Sequence, residues 1–363
     1  MARSGRRTFR FSYLFRQRPN RFKQVQQKLR RDSEGRMPHS FYGSRDILTK
    51  EQWKDLVIKY NPKEVLDTLD KLEEKARLKE AGVPIPETFL VVETEEDLER
   101  FDRWLKNVNK GFVVKPSKGH GGSGVLVVDR RVAQRFILVS GRGVEKVSLL
   151  RHAKRIMNGA YSKGAPDRAV VEEKLVLSRR LREIMTPGLP DIRIVALKGF
   201  PIMAMTRLPS KRSGGRANIH QGAIGAGISI SEGRITSATL LRKNVKRHPS
   251  SGKTIVGFRF NMWEEILETA SAAADAMNMG FVGVDLTVDD NRGVVVLEVN
   301  KRPGLEIQNA NRAGLKKRMK WVDSYLKKNR LDHRELGPGI KAELSRTWDL
   351  NGWSRKKEDG EEE

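Results

Sequence analysis

The chain contains no cysteine. Disulfides, thiolate nucleophiles and cysteine-ligated zinc are therefore excluded. No apolar run approaches a membrane-spanning helix, and no apolar segment of the signal-peptide kind follows Met1. Aromatics are sparse, at 7%. The stretch 1–31 has no acid at all, against nine Arg and two Lys. What the chain has in excess is positive charge, with 71 Lys and Arg against 45 Asp and Glu, a formal +26. Such a balance implies an anionic partner: nucleic acid, a phosphate-rich ligand, an acidic peptide or an anionic membrane. It carries no information about fold. The 363 residues allow two or three domains, or one enzyme of several sub-domains. The expected location is cytoplasmic, with peripheral membrane attachment through the basic arm as its variant.

Within that arm Phe9, Phe11, Tyr13, Phe15 and Phe22 are interleaved with the charges. Contact with anionic lipid or RNA phosphates, a targeting presequence and a solvated arm are all compatible with it. Helical spacing covers 45–60 and then 66–81, where Gly82 closes the second pattern and Val83-Pro84-Ile85-Pro86 stops it. Thr88 to Val92 reads as a strand and Glu95 to Asn107 as a helix. Asp191–Leu197 and Phe200–Arg207 read as a hairpin turning at Lys198-Gly199. Trp263–Met277 is an amphipathic helix, and 310–328 a basic one. Hairpins with intervening helices, and no internal repeat, argue an α+β fold rather than a regular βαβ sheet.

Two stretches carry chemistry. Gly111 to Pro116 is a strand that ends on Lys115, followed by Ser117-Lys118-Gly119-His120-Gly121-Gly122-Ser123-Gly124 and a second strand. Glycines Gly119, Gly121, Gly122 and Gly124 let backbone N–H groups approach phosphate oxygens. The loop lacks the Gly-Lys-Ser/Thr of a Walker loop and no helix follows it. A flexible hairpin tip is the competing reading. Near the other end, Gly283–Leu286 and Val294–Asn300 flank a turn at Asp289-Asp290-Asn291-Arg292-Gly293. Asp285, Glu298 and Asn300 are hard oxygen donors of the kind that hold Mg²⁺ or Mn²⁺ beside nucleotide phosphates. Glu298 and Asn300 are two apart and share a strand face. A solvated sheet face would look the same.

Together these motifs resemble the ATP-grasp enzymes. Lys115 with its loop, Glu173, Asp191-Ile192-Arg193, Arg216-Ala217-Asn218, Asp285 and Glu298-Val299-Asn300 occur in the expected order. Within that superfamily the chain is similar to the α-L-glutamate ligase branch, which includes the ribosomal-protein glutamate ligase. It is most similar to the subgroup called α-L-glutamate ligase-like or sugar-transfer-associated ATP-grasp. Leu189 to Arg193, Met205 to Pro209, Gly215 to Ala223, His248-Pro249 and Arg302 to Asn311 carry that likeness. The resemblance spans roughly 65–320 and implies two α+β sub-domains clasping ATP. On it, the domains run 1–44 (basic arm), 45–110 (helical region), 111–177 (small sub-domain), 178–335 (large sub-domain with the metal site) and 336–363 (tail).

The resemblance also implies roles. Lys71 and Lys115 contact phosphates, with Gly119, Gly121, Gly122 and Gly124 over them. Glu173 and Lys174 sit at the adenine hinge and Asp191 near the ribose. Arg216 and Asn218 lie by the γ-phosphate and acyl phosphate, with Arg193 and Arg302 also catalytic. Asp285, Glu298 and Asn300 hold Mg²⁺ or Mn²⁺. The implied reaction joins an amino-acid carboxylate, such as glutamate, to an amine acceptor of peptide type through an acyl phosphate. Lys316, Lys317, Arg318 and Lys320 would help recruit an acidic acceptor, and a homo-oligomer is compatible. Other readings stay open: a kinase or thioester-forming ATP-grasp enzyme, or a basic nucleic-acid- or membrane-associated ATP-binding protein.

Overall fold

The computed structural model describes residues 46–353, except 69, 120, 185–187 and 242. The basic arm, His120 and the acidic end of the chain lie outside the described residues. A compact unit spans Tyr42–Leu350. Its first helices are set by their caps. Thr49 and Gln52 form a capping box for α1, Lys50–Tyr60. A short α2, Lys63–Thr68, follows. Asp70 and Glu73 then box the start of α3, Lys71–Glu80. The helical pattern read as one run from 66 is thus broken, because Asp70 caps a new helix rather than continuing the old one.

The first sheet contains β1 (Thr88–Val92), β2 (Phe112–Pro116), β3 (Leu126–Val132), β4 (Arg135–Leu138), β5 (Gly143–Glu145) and β6 (Ala169–Glu173). Their order is β1-β6-β2-β3-β4-β5. Helices α4 (Glu95–Asn107) and α5 (Lys146–Met157) cover it. Phe101, Leu105, Phe112, Phe136, Leu149 and Ile156 fill the space between. Since β1 pairs with β6, this layer begins upstream of the boundary at 111 suggested by the sequence.

A short α6 (Arg179–Arg182) leads to the second sheet. Its strands are β7 (Asp191–Leu197), β8 (Phe200–Leu208), β9 (Ile224–Ile228), β10 (Ile235–Leu240), β11 (Lys243–Asn244), β12 (Phe281–Asp289) and β13 (Gly293–Asn300). They run β11-β10-β9-β8-β7-β12-β13, so β13 is an edge strand. Among the described residues every strand pair in both sheets is antiparallel, which fits an α+β fold. Helix α7 (Trp263–Ala276) covers one face with Ile266, Leu267, Ala270 and Ala273 against Ile194, Val284, Leu286 and Val296. The opposite face carries the charged residues described below.

The described residues end in α8 (Glu306–Asn311), α9 (Lys316–Asn329) and α10 (Pro338–Trp353). The single basic helix expected over 310–328 is two helices, because Arg312 turns left-handed at φ 52° and caps the first. The tail expected from 336 is instead a helix, with Ala342 and Leu344 buried and Lys341 paired to Asp275 at 2.6 Å. Among the described residues no helix is long and apolar enough to cross a membrane.

Candidate active site

Asp285 lies on β12 between Arg193 of β7 and Glu298 of β13, its register partners on either side. The strand alternation alone would not produce this. Asp289 pairs with Gly293 and Leu286 with Val296, but a bulge then shifts the register so that Asp285 faces Glu298. The bulge lets Val296 and Val299 both reach the core while Glu298 and Asn300 share the charged face with Asp285. Bulges recur beside active sites because they re-aim side chains in this way.

The three oxygen donors lie on neighbouring strand positions, but their oxygens do not converge on one point. Asp285 is buried and gripped by two guanidinium groups. Arg193 donates Nε to Oδ1 and Nη2 to Oδ2, both at 2.6 Å. Arg207 donates Nη2 to the same Oδ2 at 2.7 Å and also holds Asp191 through Nε at 2.7 Å. Burial raises the Asp285 carboxyl, yet Arg193 and Arg207 together hold it below the usual carboxylate range. Asp191, Arg207, Asp285 and Arg193 thus form a buried set of two negative and two positive charges. A ribose hydroxyl reaching for Asp191, as the resemblance implied, would compete with a guanidinium. Asn300 accepts from the Arg302 N–H at 3.1 Å, and the Glu298 side chain is 41% exposed. Among the described residues no group of three or more His, Asp or Glu converges on a point. A hard cation here would therefore rest on Glu298 and the Asn300 amide oxygen. Asp285 could join them only by exchanging a guanidinium for the ion.

Helix α3 closes the site from the side. Lys71, Glu74 and Lys75 are spaced i, i+3, i+4 and share one face of it. Lys71 donates to the Gly119 carbonyl at 3.0 Å and stands 3.9 Å from Glu298. Glu74 accepts from the Val299 N–H at 2.7 Å. Burial, then the nearby Glu298, push its carboxyl up to about 8. Lys75 and Lys115 grip one carboxylate, Glu172, at 2.5 and 2.6 Å. Burial pushes the Glu172 carboxyl up, but the two ammonium groups hold it below its ordinary value.

The glycine loop joins β2 to β3 and reaches the other polar segment. Gly121 and Gly122 have φ of 62° and 77°, conformations that side chains disfavour. A Cβ at Gly121 would lie 3.3 Å from the Asn218 amide, and one at Gly122 would lie 3.7 Å from the Arg216 side chain. The structure therefore brings Arg216 and Asn218 to the loop. Arg216 bonds Gln221 at 3.4 Å, and Asn218 caps the short turn Ile219–Gln221 through His220 N. The end of the loop is fixed by α5, where His152 Nε2 bonds the Gly124 carbonyl at 2.9 Å.

Glu173 lies beside the β12–β13 turn, and Lys174 beside β3. Glu173 pairs with Arg292 at 2.5 Å and Lys174 with Asp129 at 2.8 Å. Of the basic cluster on α9, Arg318 is buried. It donates to the Ile202 carbonyl at 2.9 Å and its guanidinium lies 5.3 Å from the Trp348 ring, so it holds the helix down instead of facing a partner. Glu74, Lys75, Glu172 and Arg207 were missed by sequence reasoning. The i, i+3, i+4 spacing from Lys71 was the one signal that pointed to the first two.

A family model described as sugar-transfer associated ATP-grasp matches residues 51–324. A curated protein of Pseudoalteromonas atlantica, the probable alpha-L-glutamate ligase 2, is 25% identical over 238 residues, 65% of this chain. The chain spans 56% of that relative's length. Solved structures with a similar course include the ATP-grasp ligase PsnB with a minimal precursor, 15% identical at a TM-score of 0.40 over 74% of this chain and 63% of that one. N5-carboxyaminoimidazole synthetase of Staphylococcus aureus complexed with ADP is 16% identical at 0.40, over 70% and 52%.

Proposed function

The chain belongs to the sugar-transfer associated ATP-grasp family, and on that premise we propose that it is an ATP-dependent, ADP-forming carboxylate–amine ligase. The observation that supports this reading best is the seam at Lys71. One ammonium group is bonded to the glycine loop and faces Glu298, so a phosphate-covering loop and a cation-binding edge meet at a lysine. That is the arrangement a nucleotide triphosphate needs. In this reading Lys71 and Lys115 orient the phosphates, and the loop lies over them through backbone N–H groups. Arg216 lies on the acyl-phosphate side of the loop with Asn218. Glu173 and Lys174 flank the adenine. Arg193 and Arg302 frame the reacting end. Mg²⁺, or Mn²⁺ in its place, would be held by Glu298 and Asn300, with Asp285 beside them; when bound it supplies charge neutralisation on the phosphate oxygens.

The chemistry follows from the substrate. A carboxylate resists attack because of its charge and resonance. Phosphorylation by ATP removes both obstacles and releases ADP. An amine then attacks the acyl carbon, phosphate leaves, and an amide forms. No side-chain nucleophile is required, which accords with a chain that has no cysteine. The carboxylate donor is an amino acid such as glutamate, and the acceptor an amine on a peptide. The test is ADP release screened over amino acids and acidic peptides, with mass spectrometry of the products. An amide product dependent on both partners is expected. ADP release with no acceptor requirement, or a phosphorylated or thioester product, would replace this reading by a kinase or thioester-forming one.

A further inference from the structure

We propose that Glu74 is a positioning residue that holds the edge strand β13 in register for cation binding; this rests on the reading of the site given above. Among the described residues β13 has a strand partner on one side only, so its outward N–H groups have no strand to bond there. Two of them are nonetheless satisfied. Val296 N–H donates to the Pro84 carbonyl at 2.8 Å, and Val299 N–H to Glu74 Oε1 at 2.7 Å. They are three residues apart rather than two because the bulge lies between them. The second is the sensitive one. Val299 separates Glu298 from Asn300, so its N–H fixes the strand between the two side chains that share the site face. Among the described residues no main-chain group takes this place. The acceptor is a side chain on α3, itself buried, one turn along from Lys71. The helix that carries the phosphate lysine therefore also clamps the cation-binding edge. An edge N–H left unpaired beside a bulge would let the strand end fray, since the bulge has already broken the ladder there.

The test uses three proteins: the wild-type chain, Glu74→Ala and Glu74→Gln. Glutamine keeps an oxygen acceptor for Val299 N–H. Two readouts are needed besides activity, namely hydrogen exchange at the Val299 amide and binding of Mn²⁺·ADP followed by calorimetry. Glu74→Ala should speed Val299 exchange and weaken Mn²⁺·ADP about tenfold, while Glu74→Gln stays near wild type in both. A folded Glu74→Gln protein that loses Val299 protection or Mn²⁺·ADP affinity overturns the proposal, even should the alanine variant not fold. So does a Glu74→Ala protein with fast Val299 exchange and undiminished binding. If the wild-type protein binds no Mn²⁺·ADP, the reading of the site itself fails, a result distinct from both.

Discussion

The face of the large sheet and the seam along α3 treat charge in opposite ways. On the sheet face, Asp191, Arg193, Arg207 and Asp285 are each less than about a fifth exposed and bond one another in a closed set. At the seam, Lys71 and Glu298 are 25% and 41% exposed and stand 3.9 Å apart, too far for a strong hydrogen bond. The first group has exchanged water for fixed partners, so it resists rearrangement. The second has kept its hydration and can trade it for phosphate oxygens or a cation. Asp285 belongs to both. It lies in the tetrad by contact and next to Glu298 by register. A carboxylate in the right order along a chain need not be free to bind an ion.

The largest effect should come from breaking the tetrad. Arg207→Ala leaves two carboxylates buried side by side, and removing one partner of such a pair costs about 3–5 kcal/mol. Urea unfolding of this variant should show that loss. A cost below about 1 kcal/mol, the range of an exposed pair, would mean that the tetrad is not a structural unit.

The seam should behave differently. Glu298→Gln and Asn300→Ala remove half-exposed groups, so stability should change by less than about 1 kcal/mol. Nucleotide turnover should fall roughly 100-fold or more, as when groups that stabilise developing charge are deleted. Asp285→Asn should lose both stability and turnover. Measuring unfolding and ADP release on the same three proteins sharpens the contrast. Equal destabilisation by all three would erase it.

Most of the fold was legible because hydrophobic periodicity and turn residues are local signals. The hairpin at Lys198-Gly199, the helix over 263–276 and the loop after Lys115 are all where the sequence puts them. The site was legible in residue types and order but not in partnership, and two bulges account for much of that. Counting back from Lys198-Gly199 puts Thr206 opposite Asp191, whereas the shift between Val195 and Ala196 puts Arg207 there. Counting from the turn of the other hairpin puts Leu297 opposite Asp285, whereas its bulge delivers Glu298. A one-residue slip reverses every side chain, and nothing in either strand announces it. Glu172 escaped notice for another reason. Its two lysines come from β2 and from a helix 97 residues away, a juxtaposition that only the fold makes.

A smaller effect separates glycines at the seam from glycines elsewhere. Gly121 and Gly141 both have positive φ, 62° and 84°, but only the first faces the site. Alanine at either should cost about 1 kcal/mol of strain. Gly121→Ala should also weaken ADP binding several-fold, because its Cβ would press on the Asn218 amide 3.3 Å away. Equal ADP affinity in the two variants would show that the loop does not cover the phosphates.

The smallest expected effect concerns how the end of that loop is tied down. His152 projects from α5 and bonds the Gly124 carbonyl, so its Nε2–H is the donor in either charge state of the ring. Its ring lies 5.6 Å from that of Tyr161, the side chain that a Cβ at Gly124 would strike. Burial holds the imidazole below its ordinary value of 6.5, outweighing the Gly124 carbonyl that favours the proton. The sign follows. Well above pH 6.5 neither folded nor unfolded chain carries this proton, and the group has no effect on stability. As pH falls through that value the unfolded chain takes up a proton that folded His152 resists, so stability declines until the folded group titrates too. His333 is displaced in the same direction and adds a parallel decline of its own. His152→Gln, which keeps an N–H donor without a titrating ring, should therefore remove part of the fall in melting temperature between pH 7 and pH 5 while leaving the value at pH 8 nearly unchanged. If wild type and variant lose stability in parallel across that range, His152 is not the group that ties the loop to pH.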